Sequence, residues 1–137
     1  MSVQFEPDQL KEKLAALRAH VYIQLIILFG SAVKGARRSQ SDLDLAILGK
    51  EPLDIVDLTS RVMVLLRTDR VDVVDLRRAS PLLAMEVVRG GLLIYEQHPG
   101  QYAAFCSLAH RRYVDTAKLR EAQKEVIARF LHARDLA

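Results

Sequence analysis

Apolar and polar positions alternate between two periods along this chain. Leu10, Leu14, Leu17 and Val21 recur at helical spacing after Pro7-Asp8, with Lys11, Glu12, Lys13 and Arg18 on other faces, which predicts an amphipathic helix. Residues 21–29 then become a continuous run rich in Ile and Leu, the signature of a strand buried on both faces. Gly30 breaks the run. A short helix is expected from Ser31 to about Gly35, a polar loop over 36–41, and a second strand from Asp42 to Leu48. Residues 53–66 predict a further helix and 71–76 a β-branched third strand. Ser80-Pro81 reads as an N-cap with proline at the first helical position, and Gly90-Gly91 as the stop. Leu92 to Tyr95 is the last strand. Pro99-Gly100 separates it from a tail, 101–134, with helical period. One apolar face of the tail holds Tyr102, Phe105, Leu108 and Ala109, and another holds Leu119, Val126, Ile127, Phe130 and Leu131.

Strands alternating with helices predict an α/β (α+β) domain with a mixed sheet, helices on one face and the active site at the edge of the other. The expected division is a body over 1–98 and a C-terminal helical extension over 99–137. The pattern leaves two options open for that tail: it packs back on its own sheet, or it contacts a partner.

Composition narrows the class. At 137 residues the chain is long enough for one domain with its own core. No apolar stretch approaches a membrane span, and the first residues lack the basic and apolar regions of a signal peptide. The single cysteine, Cys106, excludes an internal disulfide and fits a reducing cytoplasm; its apolar helical setting reads as a small buried hydrophobe. A net charge of +3, without a Lys/Arg stripe or interleaved aromatics, suits a nucleotide or acidic partner and gives no ground for direct nucleic-acid binding. His20, His98, His110 and His132 have no metal-ligand spacing.

The chemistry concentrates after the first strand. Asp42 and Asp44 have period-two spacing, so both carboxylates leave one face of a strand while Leu43, Leu45 and Ile47 enter the core. Two such carboxylates repel unless a cation lies between them or arginines such as Arg37 and Arg38 pair with them. Mg²⁺ prefers hard oxygen ligands and joins carboxylates to substrate phosphates. Gly30-Ser31 supplies the complement, because glycine lets the backbone approach a phosphate and the following N–H groups and hydroxyl donate to it. Lys34, Arg37 and Arg38 lie in the same connection and would neutralise phosphate charge. A third carboxylate comes from Asp72 or Asp75, which alternate to opposite faces of the third strand, or from Asp69 in the preceding turn. Spacing does not choose among them.

The stretch from Gly30-Ser31 through Lys34, Gly35, Arg38 and Ser41 to Asp42-Leu43-Asp44-Leu45 resembles the nucleotidyltransferase motif of the DNA polymerase β superfamily, and in particular its minimal nucleotidyltransferases. Val71 to Leu76, followed by Ser80-Pro81 and Gly90-Gly91, is similar to that family's third-strand region. The resemblance covers residues 10–96. It implies Asp42, Asp44 and Asp72 as catalytic metal ligands, with Gly30, Ser31, Lys34, Arg38 and Ser41 at the nucleotide. Lys34 stands where many members carry arginine, which keeps the charge and loses a bidentate contact. Ser39-Gln40 replaces a common Pro-Asp.

The same resemblance implies Mg²⁺-dependent transfer of AMP from ATP to a tyrosine of a helical HEPN toxin, an RNase, with this chain as antitoxin. The tail from Tyr102 to Leu119 resembles the extension of antitoxin-type members. Two other readings follow from the same residues. One is a non-catalytic antitoxin that masks its partner through the apolar tail. The other is transfer to a small molecule, for which the chain is short of the usual extra substrate domain.

Overall fold

The computed structural model describes residues 6–20, 22–30 and 42–134. In chain order the elements are α1 (Pro7–Lys13), α2 (Leu17–His20), β1 (Ile23–Phe29), β2 (Leu43–Gly49), α3 (Ile55–Leu66), β3 (Val71–Asp75), α4 (Pro81–Gly90), β4 (Leu92–Glu96), α5 (Gln101–Asp115) and α6 (Ala117–Ala133). The short helix expected from Ser31 and the loop after it lie outside the described residues.

Local chemistry sets the element ends. Pro7 occupies the first turn of α1, and the Glu6 backbone N–H donates to Gln9 Oε1 at 3.2 Å. The expected first helix is two pieces. After Lys13 the chain tightens through Ala15 N to Glu12 O and Leu17 N to Leu14 O bonds, which hand over to α2. This keeps Leu10, Leu14 and Leu17 all buried. Asp54 caps α3 by accepting from the Asp57 N–H, and Ser80 caps α4 by accepting from the Leu83 N–H.

The sheet order is β3-β2-β1-β4. β1 pairs antiparallel with both β2 and β4, while β2 pairs parallel with β3. The parallel pair follows from α3, the crossover helix that connects β2 to β3. The mixed sheet matches the expectation from sequence; the distribution of helices does not. They divide between both faces instead of gathering on one. On the first face, Leu10, Leu14, Leu58, Val62 and Leu66 pack against Ile26, Leu28, Leu43, Leu45, Ile47, Val71 and Val73. On the second, Ala84 and Val87 of α4 and Ala109 and Phe105 of α5 pack against Ile27 and Ala46. The physical reason is the strand alternation itself. Ile27 and Ala46 point away from the first core, and water would otherwise meet an apolar strip.

The tail therefore splits. α5 packs along α4 and over β1 and β4, whereas α6 buries none of its residues. Cys106 is half-buried, not the buried hydrophobe expected, because α5 contacts the body along one stripe only.

Candidate functional site

The β2–β3 register organises the acids. Asp44 is the second residue of β2, Asp72 the second residue of β3, and they are direct partners across the parallel pair. Neighbouring strands lie about 4.8 Å apart, so same-face partners are adjacent side chains. Both leave the second face, since Leu43, Leu45, Val71 and Val73 belong to the first core. Asp72 is exposed and Asp44 half-buried. Asp42 is exposed immediately before β2. Asp69 is exposed in the turn between α3 and β3.

On its other side Asp44 pairs with Phe29 of β1, and Gly30 follows. Gly30 has φ +80°, a conformation that side chains rarely adopt. A Cβ built there would collide with Asp44 Oδ2 and lie 3.2 Å from Asp44 Cγ. The glycine thus serves two needs together, the backbone turn and room for a carboxylate. Ser31, Lys34, Arg38 and Ser41, the remaining nucleotide-binding expectations, lie outside the described residues, as does Arg37.

Asp75 has a different task. It is 6% exposed, on the first-core face, and its Oδ2 accepts the Leu53 N–H at 3.1 Å while Oδ1 accepts the Arg77 N–H at 3.0 Å. The Arg77 guanidinium donates to the Gly49 and Lys50 carbonyls at 2.7 and 2.8 Å. These bonds brace the β2–α3 connection, at the end of β2 opposite Asp44. Of the two acids on β3, Asp72 sits beside Asp44 and Asp75 pairs with Ile47 at the other end of β2.

The electrostatics of the cluster are unfavourable to three bare carboxylates. Burial pushes the pKa of Asp44 up from its ordinary value, and repulsion from Asp72 and then Asp42 pushes it further. Among the described residues no three acidic, His or Cys side chains close round one point. The acids form an open array, near enough to repel and not yet a cage. Three hard oxygen donors under mutual repulsion suit a divalent cation such as Mg²⁺. Beside Gly30 a cleft of about 400 Å³ is lined by Phe29, Gly30, Glu86, Arg89 and Gly90. Glu86 and Arg89 had no motif to mark them. Their only signal was position, at the end of a helix that stops at Gly90.

Comparison with known proteins places the chain in a family. Residues 11–99 match the family described as Polymerase beta, Nucleotidyltransferase. The protein adenylyltransferase MntA of Shewanella oneidensis is 42% identical over 72 residues, about half of each chain (50% of this chain and 51% of that one). A crystal structure of a toxin–antitoxin with AMP-PNP superposes with a TM-score of 0.77 at 30% identity, covering 86% of this chain and 98% of that one. A structure of a tri-AMPylated Shewanella oneidensis HEPN toxin in complex with its MNT antitoxin gives 0.73 at 27% identity, covering 90% and 99%.

Proposed function

This chain belongs to the polymerase beta nucleotidyltransferase family, and from that premise we propose that it transfers AMP from ATP to a tyrosine hydroxyl of a HEPN toxin partner and so acts as its antitoxin. One observation carries the reading: the Asp44–Asp72 partnership across β2 and β3, with Gly30 seated against the Asp44 carboxylate. The raised Asp44 pKa supports it, because such an array is costly until a cation joins it. The relatives support the acceptor class through a similar structure that holds an AMPylated HEPN toxin, and the nucleotide through another that holds AMP-PNP.

Asp42, Asp44 and Asp72 would hold Mg²⁺, which when bound supplies charge neutralisation and polarisation of the phosphates. The remaining work belongs to the chain. Gly30 leaves backbone room for phosphate next to the acids. Ser31, Lys34, Arg38 and Ser41 are assigned to the nucleotide on their sequence positions. Asp72, the exposed member of the pair, orients the acceptor hydroxyl and takes its proton. The hydroxyl oxygen bonds to the α-phosphorus as the bond to pyrophosphate breaks, leaving AMP on the acceptor. Positioning and charge neutralisation contribute most of the rate.

The test is label transfer from α-labelled ATP to the co-purified partner. Asp42→Asn with Asp44→Asn should abolish it, and transfer at the wild-type rate would remove the metal-site assignment.

A second reading has its own observation. α6 presents Val126, Ile127, Phe130 and Leu131 at 64, 59, 52 and 40% exposure, on one helical face with Leu119. A masking antitoxin would use that face. Equal neutralisation by wild type and the double Asn variant would select masking over transfer.

A further inference from the structure

The cleft beside Gly30 contains a cation to which the proposed mechanism gives no task. Arg89, in the last turn of α4, lines it with Phe29, Gly30, Glu86 and Gly90. Among the described residues its guanidinium has one partner, the Tyr113 ring of α5, 5.0 Å from the centroid. Arg120 of α6 stacks on the same ring at 3.9 Å. Arg120 is itself fixed, donating to Thr116 Oγ1 at 2.6 Å and to the Tyr113 carbonyl at 2.9 Å.

A cation–π contact orients a guanidinium without cancelling its charge, whereas a carboxylate partner would neutralise it. Arg89 therefore lines the cleft held by a ring and without a carboxylate partner among the described residues. Gly30 is shared by the cleft and the acid array, so a nucleotide phosphate at that turn lies next to both. Among the described lining residues Arg89 is the one cation and Glu86 the one anion, so a phosphate in the cleft has Arg89 as its charge partner. The planar fork of arginine matches phosphate oxygens two at a time.

The geometry points to Arg89 as a binding residue for the triphosphate of ATP, and to Tyr113 as the positioning residue that holds it. This deepens the proposed function and rests on ATP binding at Gly30. It also assigns the C-terminal helices a part in the nucleotide site, through one ring that both arginines share.

The experiment measures ATP binding by calorimetry in Mg²⁺, together with the KM and kcat of transfer, for the full chain with its partner. Arg89→Ala should weaken ATP binding and raise the KM for ATP about tenfold, with the acceptor KM unchanged. Arg89→Lys should recover part of the loss. Tyr113→Leu should behave like Arg89→Ala, and Tyr113→Phe, which keeps the ring, like wild type. Thermal melts of each variant separate a folding defect from a binding one, and the conservative Lys and Phe variants carry the test if the Ala or Leu variant is destabilised. Unchanged ATP binding in Arg89→Ala, or a rise in the acceptor KM alone, overturns this assignment and leaves the transferase reading standing. Failure of the wild type to bind ATP overturns both.

Discussion

Asp72 and Asp75 stand three residues apart on one strand, and the account gives them opposite behaviour on substitution. Asp75→Ala removes the acceptor for two backbone N–H groups, Leu53 in a buried setting and Arg77 in a partly buried one. A stranded buried donor costs about 1–3 kcal/mol, and water recovers some of it at Arg77, so the expected loss is about 2–4 kcal/mol. The Arg78 contact, 3.9 Å away with its side chain 69% exposed, adds little. With a urea slope of about 2 kcal/mol/M, the midpoint should fall by about 1–2 M. Asp72→Ala removes an exposed group that repels Asp44, so its midpoint should stay within about 0.5 kcal/mol of wild type. Label transfer per folded molecule should reverse the order: near wild type for Asp75→Ala at a temperature where it is folded, and lost for Asp72→Ala. Transfer lost in Asp75→Ala without a fall in midpoint, or retained in Asp72→Ala, would refute the assignment by register.

Three further outcomes are expected. The raised pKa of Asp44 means that the folded state holds its proton more tightly, so stability is present at low pH and is lost as pH rises from 3.8 through the raised value. Metal-free Asp44→Asn should then melt with wild type at low pH and above it at pH 7, and a gap independent of pH would contradict the repulsion argument. Gly30→Ala forces a methyl onto Asp44 at φ +80° and should cost about 1–2 kcal/mol in denaturant titration while abolishing transfer; full activity would mean that the contact is not needed. Ile127→Ser with Phe130→Ser should leave the melting temperature unchanged, because α6 buries nothing, and weaken capture of the partner in a pull-down. A fall in melting temperature would show that α6 packs on the body.

What is legible in the sequence depends on range. Strand and helix existence was legible, because period-two and helical spacing are local. The Asp42–Asp44 pair was legible for the same reason. Asp72 against Asp75 was not, since alternation separates their faces without saying which face meets β2; that is a property of a parallel pairing across an α3 crossover. The covering of the second face by α4 and α5 was missed because it depends on how helices with modest apolar stripes fold back, and Ala84, Val87 and Ala109 are small residues that mark such a stripe weakly. No local pattern marks Arg89 or Tyr113, and only the approach of α5 to α4 joins them.

The central claim is covalent transfer governed by the acids beside Gly30. The most direct measurement is the intact mass of the HEPN partner after co-expression with wild-type protein and with the Asp42→Asn/Asp44→Asn variant. The account predicts a partner heavier by one or more AMP units with wild type and an unmodified partner with the variant. An unmodified but fully neutralised partner in both cases would contradict it.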